Sequence, residues 1–250
     1  MPIHLPPFQS PDALTTGVFV AIVALVLGCL VAGVAIASRR LGHPRESLRR
    51  RVLMAAALSI VWLGLTPQAP FGLFGVTVSA FMLLFTISNL SAVALGLSPV
   101  GRLLAAGLPL WALVGFQGFR LPLEIVLHAW YGQGTVPVHI TWEGQNFDVI
   151  AALTALVAAV WLYRRPTARW VGWLATAIGL GLLLNVIRVA VGASPVGVPW
   201  NFGADPTLQL PAHSPFGWIV SVCIAGALAG HIVTLRALTS PSRAEPDVRA

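Results

Sequence analysis

Apolar residues dominate seven stretches of the chain, near positions 14–37, 51–67, 71–98, 103–130, 148–164, 170–192 and 215–237. Crossing a bilayer takes about 20 apolar residues, or somewhat fewer where neighbouring helices shield the ends. The pattern therefore predicts an all-α polytopic bundle of seven membrane-spanning helices. The chain reads as a single transmembrane domain over 1–250, because no longer repeat recurs and no polar linker divides it.

Polar residues between the runs set the expected orientation. Arg39, Arg40, Arg45, Arg49, Arg50 and Arg51 fill the first connection, and Arg102 the third. Arg164, Arg165 and Arg169 fill the fifth, while Arg236, Arg243 and Arg249 mark the C-terminal end. The N-terminus and the alternate connections carry Asp12, Glu143, Asp148 and Asp205 instead. Basic residues collect on the cytoplasmic side of membrane proteins, so this alternation predicts an outer N-terminus and a cytoplasmic C-terminus. The first run is too long for a signal peptide, lacks a basic lead, and is expected to remain as a helix.

Composition agrees. The chain is 57% hydrophobic and 9% charged, with a mean hydropathy of +0.84, whereas soluble domains carry about 25% charged residues. All fifteen basic residues behind the net charge of +7 are arginine, and most sit in short clusters between apolar runs, which suits lipid headgroups and topology, not nucleic acid. Cys29 and Cys223 each fall midway along a run, which gives no basis for a disulfide framework.

Two arginines, Arg120 and Arg188, lie inside runs, where a charge costs about 2.5–3.5 kcal/mol on insertion scales. Helical spacing puts Gln117, Arg120, Glu124 and His128 on one face, so Arg120 is expected to pair with Glu124 or with an acidic residue of the following loop such as Glu143. Pro122 cannot donate to the Gly118 carbonyl and should break the helix there, while Gly115 and Gly118 admit a close neighbour. In the next loop, Val136, Val138, Ile140 and Trp142 alternate with His139, Thr141 and Glu143, a strand-like period that predicts an extended flap. Asn146 or Asp148 should cap the helix that follows. Asn185 and Arg188 share a face at i and i+3. His128, His139, His213, Glu143 and Asp205 lack the spacing of a metal motif, so no metal is assigned and no cofactor is identified. Ser88, Asn89 and Ser91 are expected to bond across helices. Gly226 and Gly230 suggest close helix packing beside a structural His231.

Two resemblances bear on these residues. Phe119-Arg120, Glu124, Thr141-Trp142-Glu143-Gly144, Asn146-Phe147-Asp148 and Leu184-Asn185 resemble a family of uncharacterised bacterial seven-span proteins. That likeness implies a multi-pass protein of the bacterial inner membrane and no particular activity. The order of Asn185-x-x-Arg188 followed by His213 is similar to that of exosortases and archaeosortases. Those proteins carry a cysteine where this chain has Gln145-Asn146-Phe147-Asp148, so the resemblance implies a shared scaffold without cysteine transpeptidation.

The expected site is a polar pocket in the outer leaflet for a small polar or lipid-linked anionic group. Arg120 and Arg188 would hold the anion, with Glu124 and Glu143 as base or acceptor and Gln117, Asn146, Asp148, Asn185 and His213 completing the pocket. Membrane lipid is the expected partner. The alternatives are a small-solute transporter gated at the helix broken by Pro122, a structural or assembly subunit, and the exosortase-like scaffold.

Overall fold

The computed structural model describes residues 7–65, 69–196 and 201–240. Its helices are α1 (Ala13–Arg40), α2 (Arg45–Leu65), α3 (Ala69–Phe74), α4 (Val78–Leu97), α5 (Pro99–Gly107), α6 (Leu110–Gly115), α7 (Arg120–Gly132), α8 (Asp148–Arg164), α9 (Arg169–Ala193) and α10 (Ala225–Thr239). Among the described residues there is no β-strand. Six stretches are long and apolar enough to cross a membrane: α1, the α2–α3 stretch, α4, Leu110–Gly132, α9 and Ile219–Thr239. The sequence suggests a seventh, α8, which forms a helix of 17 residues. Arg243 and Arg249, and the end of the 51–67 run, lie outside the described residues.

Local chemistry sets the boundaries. Asp12 caps α1, its carboxylate accepting from the Thr15 amide at 2.7 Å. Thr77 caps α4 through its bond from Ala80 N–H. Ser98 closes α4 and opens α5, accepting from Val100 and Gly101 N–H, with Pro99 at the first helical position, where its missing donor costs nothing.

The expected span at 103–130 is not one helix. α5 ends at Gly107, α6 covers six residues, and a 3-10 turn over Phe116–Phe119 joins α6 to α7. The turn lies directly before Pro122, whose missing N–H leaves the backbone there free to tighten. Leu156 of α8 approaches so closely that a Cβ on Gly118 would lie 2.5 Å from its Cδ2. The neighbour that Gly118 admits is therefore α8, which packs along α6, α7 and α9.

α10 sits centrally, against α4, α5, α6 and α9, and is preceded by a π-helical segment, Ile219–Ile224. Within that wider turn the Ser221 carbonyl accepts from Trp62 Nε1–H of α2 at 2.8 Å. At one end of the bundle buried Trp130 meets Phe19 and Phe216 edge-on, and those two rings lie tilted to each other. Asn89 and Ser88 of α4 do not act as expected: Asn89 donates back to the Phe85 carbonyl of its own helix, and the Ser88 hydroxyl is buried without a partner among the described residues.

Candidate functional site

The loop 133–147 carries the site. It is not an extended flap: Val138–Ile140 form a 3-10 turn after Pro137, and Thr141 N–H bonds back to the Val138 carbonyl at 2.9 Å. Gly144 then passes so near the Val138 carbonyl that a Cβ would stand 2.3 Å from its oxygen. Alternation predicts a strand only where a neighbouring strand can pair, and no such edge exists here.

The doubled-back loop delivers consecutive residues into two separate clusters. In the first, Asn146 is buried and its Nδ2 donates to both oxygens of Glu124, at 2.9 and 2.8 Å, and to the Ile140 carbonyl. Asn146 Oδ1 accepts from the Asp148 amide at 3.1 Å, so Asn146, rather than a carboxylate, satisfies a donor at the start of α8. Asp148 instead forms a two-point ion pair with Arg120, accepting from Nε at 2.7 Å and from Nη2. The third arm of the guanidinium donates to the Gly179 carbonyl of α9 at 3.2 Å. Arg120 is 2% exposed, Glu124 1% and Asp148 5%.

The acidic partner of Arg120 is thus neither Glu124 nor Glu143 but Asp148, at the end of the following loop, where an acidic partner is among the expectations. The 3-10 turn rotates Arg120 at the head of α7 toward the head of α8, where a fork-shaped guanidinium meets a carboxylate in two-point register. Glu143 lies elsewhere, half-exposed, its Oε1 3.6 Å from His128 Nε2, beside the stacked His128 and Trp142 rings. Gln117 donates to the Ala227 carbonyl of α10 at 3.0 Å. Its Oε1 and the Nε2 of buried His231 border a cavity of about 10 Å³ without partners among the described residues. A larger cavity of about 70 Å³ has a mostly apolar wall that includes Leu183, Leu210 and Cys223, and Arg120, Glu124, Asn146 and Asp148 also border it.

The second cluster forms around Arg188. Asn185 Nδ2 donates to the Gln145 backbone carbonyl at 2.7 Å. Arg188 Nη2 donates to Gln145 Oε1 at 2.9 Å and to Asn185 Oδ1 at 3.0 Å. The guanidinium lies 5.4 Å from the centre of the Phe202 ring, on which His139 also stacks. All of these partners are neutral or aromatic. Among the described residues no carboxylate lies within ion-pairing distance of Arg188.

His213 has a different neighbour: its ring stacks on Phe8 at 3.7 Å, and burial lowers its pKa. No hydrogen bond joins it to Asn185 or Arg188. Gln145 and Phe202 were not among the residues expected in the pocket. Gln145 has a signal, since the exosortase-like order puts a reactive residue just there; Phe202 has none. No family model, curated protein or solved structure matches the chain.

Proposed function

We propose that the protein is a seven-span membrane protein with its N-terminus outside, and that the Arg188 cluster is a receptor for an anionic group presented at the outer face. One observation carries this reading. Arg188 is a half-buried cation held in place only by neutral acceptors and an aromatic ring, while its Nη1 has no partner among the described residues. A guanidinium oriented this way keeps its full charge for a carboxylate or phosphate and has already lost the side-chain freedom that binding would remove. The anion is a small polar species or the head of a lipid-linked one.

The membrane is taken as a bacterial inner membrane; kinship with the exosortase-type scaffold calls for His213 beside Asn185 and Arg188, and His213 stacks on Phe8 instead, so only Gln145 joins those two residues. Gln145 cannot supply a thiolate, so the reading is recognition without cysteine transpeptidation. The transporter alternative has less support, because the segment around Pro122 is tied to α8, α9 and α10 by Gly118, Arg120 and Gln117. The Arg120 cluster fits the structural role.

The test uses the protein in nanodiscs of zwitterionic lipid, with inorganic phosphate and a polyprenyl phosphate as probes and thermal shift as the readout. Saturable stabilisation by one of them is expected, weakened at least about tenfold in Arg188→Gln, which corresponds to about 1.4 kcal/mol, and kept in Arg165→Gln. Absence of saturable binding, or equal binding by Arg188→Gln, overturns the reading.

A further inference from the structure

The connection between α1 and α2 holds six arginines, Arg39, Arg40, Arg45, Arg49, Arg50 and Arg51, against a single acidic residue, Glu46. All but Arg51 are exposed, and among the described residues none makes an ion pair. Other arginines assigned to the same side are engaged. Arg169 donates to the carbonyls of Ala237, Leu238 and Ser240, and Arg236 to those of Gly96 and Ser98. Both satisfy carbonyls at helix ends. Among the described residues the six at the elbow make no comparable bond.

A second observation points to a ligand. The Nη1 of Arg51 is sealed from solvent and has no partner among the described residues, and the same holds for the hydroxyl of fully buried Ser38, the last residue of α1 before the arginines. α1 and α2 pack directly together, so Arg51 brings an unsatisfied donor to the elbow where they join. Leaving such donors unmet is costly, and a multivalent oxygen acceptor satisfies them.

The third observation fixes the kind of acceptor. From Arg50, the positions i+3, i+4, i+8 and i+11 on α2 are Leu53, Met54, Leu58 and Val61, which share one helix face. These four are 53–65% exposed. A cationic head therefore continues into an apolar stripe on a helix that contributes only Ser59 to the buried set.

We propose that this elbow is a binding site for an anionic phospholipid, whose phosphodiester sits among Arg49, Arg50 and Arg51 while an acyl chain lies along Leu53, Met54, Leu58 and Val61. Arginine suits the headgroup because its planar fork grips two phosphate oxygens at once, and basic clusters flanking a span draw anionic lipid.

The experiment is native mass spectrometry of the full chain released from nanodiscs of mixed phosphatidylcholine and phosphatidylglycerol. The wild type should retain phosphatidylglycerol selectively. Substituting Arg45, Arg49, Arg50 and Arg51 together by Gln should cut that selectivity at least about tenfold, while Arg165→Gln leaves it unchanged. Arg51→Lys keeps the charge and the fold but loses the fork, and should weaken retention by a smaller factor. Equal retention of both lipids by the wild type overturns the proposal. So does unchanged selectivity in both the fourfold variant and Arg51→Lys, or displacement of the lipid by millimolar inorganic phosphate.

Discussion

Arg120 and Arg188 are the two arginines within apolar runs, and the protein treats them in opposite ways. Arg120 is sealed and matched: Asp148 neutralises it with two bonds, and Gly179 takes the third arm. Arg188 is half-buried and unmatched, gripped by amide oxygens that orient its charge without cancelling it. Burying a cation beside a carboxylate spends its interaction energy inside the fold. Fixing a cation with neutral groups leaves that energy available to a ligand. The two arginines differ in burial and in the charge of their partners, and on the proposed reading the second difference marks the one left able to bind.

Three sets of variants break or sharpen this contrast. The largest effect is expected for Arg120→Met, which strands the Asp148 carboxylate and should destabilise by about 3–5 kcal/mol. Adding Asp148→Leu should restore most of that loss, whereas adding Glu124→Leu should not. Thermal unfolding of the purified variants distinguishes the two pairings, and a rescue by Glu124→Leu alone would refute the partner assignment. Arg188→Gln, measured the same way, should unfold near the wild-type temperature.

Next comes Asn146→Leu, which removes the shared donor from Glu124 and the acceptor from the Asp148 amide. It should destabilise by about 1–3 kcal/mol through buried groups left unbonded. Because Gln145 reaches into the other cluster, anion binding at Arg188 should survive in the fraction that folds. Loss of both properties together would mean that the loop couples the two clusters.

The smallest effect is at Asp12, a fully exposed carboxylate at the opposite extreme from Asp148. Bonding from the Thr15 amide, the largest cause, holds its pKa below the ordinary 3.8. A carboxyl with a depressed folded pKa contributes stability above its unfolded value and loses it as pH falls through the folded one. Asp12→Asn should therefore melt slightly below wild type at neutral pH, and the gap should close as the pH drops below about 3.8. A gap independent of pH would assign the effect to something other than the charge at the cap.

Much of the helical content was legible because hydrophobic runs are local signals, whereas the caps at Asp12, Thr77 and Ser98 emerged only from the structure, Thr77 inside a run read as unbroken. The spacing of Asn185 and Arg188 likewise lies on one helix. Glu124 shows the limit of such reading. It is four residues from Arg120 and was the natural partner by spacing, but the 3-10 turn before Pro122 and the folded loop brought in Asp148, 28 residues away. Nothing local encodes that meeting. The strand-like alternation at 136–142 misled for a related reason, since alternation records which side chains are apolar and not whether an edge exists to pair with. Phe202 reaches Arg188 from a distant loop, which no motif anticipates.

The three-armed hold of Arg120 also bears on how the chain enters a bilayer. α7 emerges during synthesis before Asp148 exists, and the Gly179 carbonyl follows later still. A helix bearing an unpaired guanidinium has an insertion penalty of about 2.5–3.5 kcal/mol, relieved only when α8 arrives, and the third bond waits for α9. The segment from Leu110 to Ala193 is therefore suited to leaving the insertion machinery as a group, with Arg120 held back from lipid until its partners have been made.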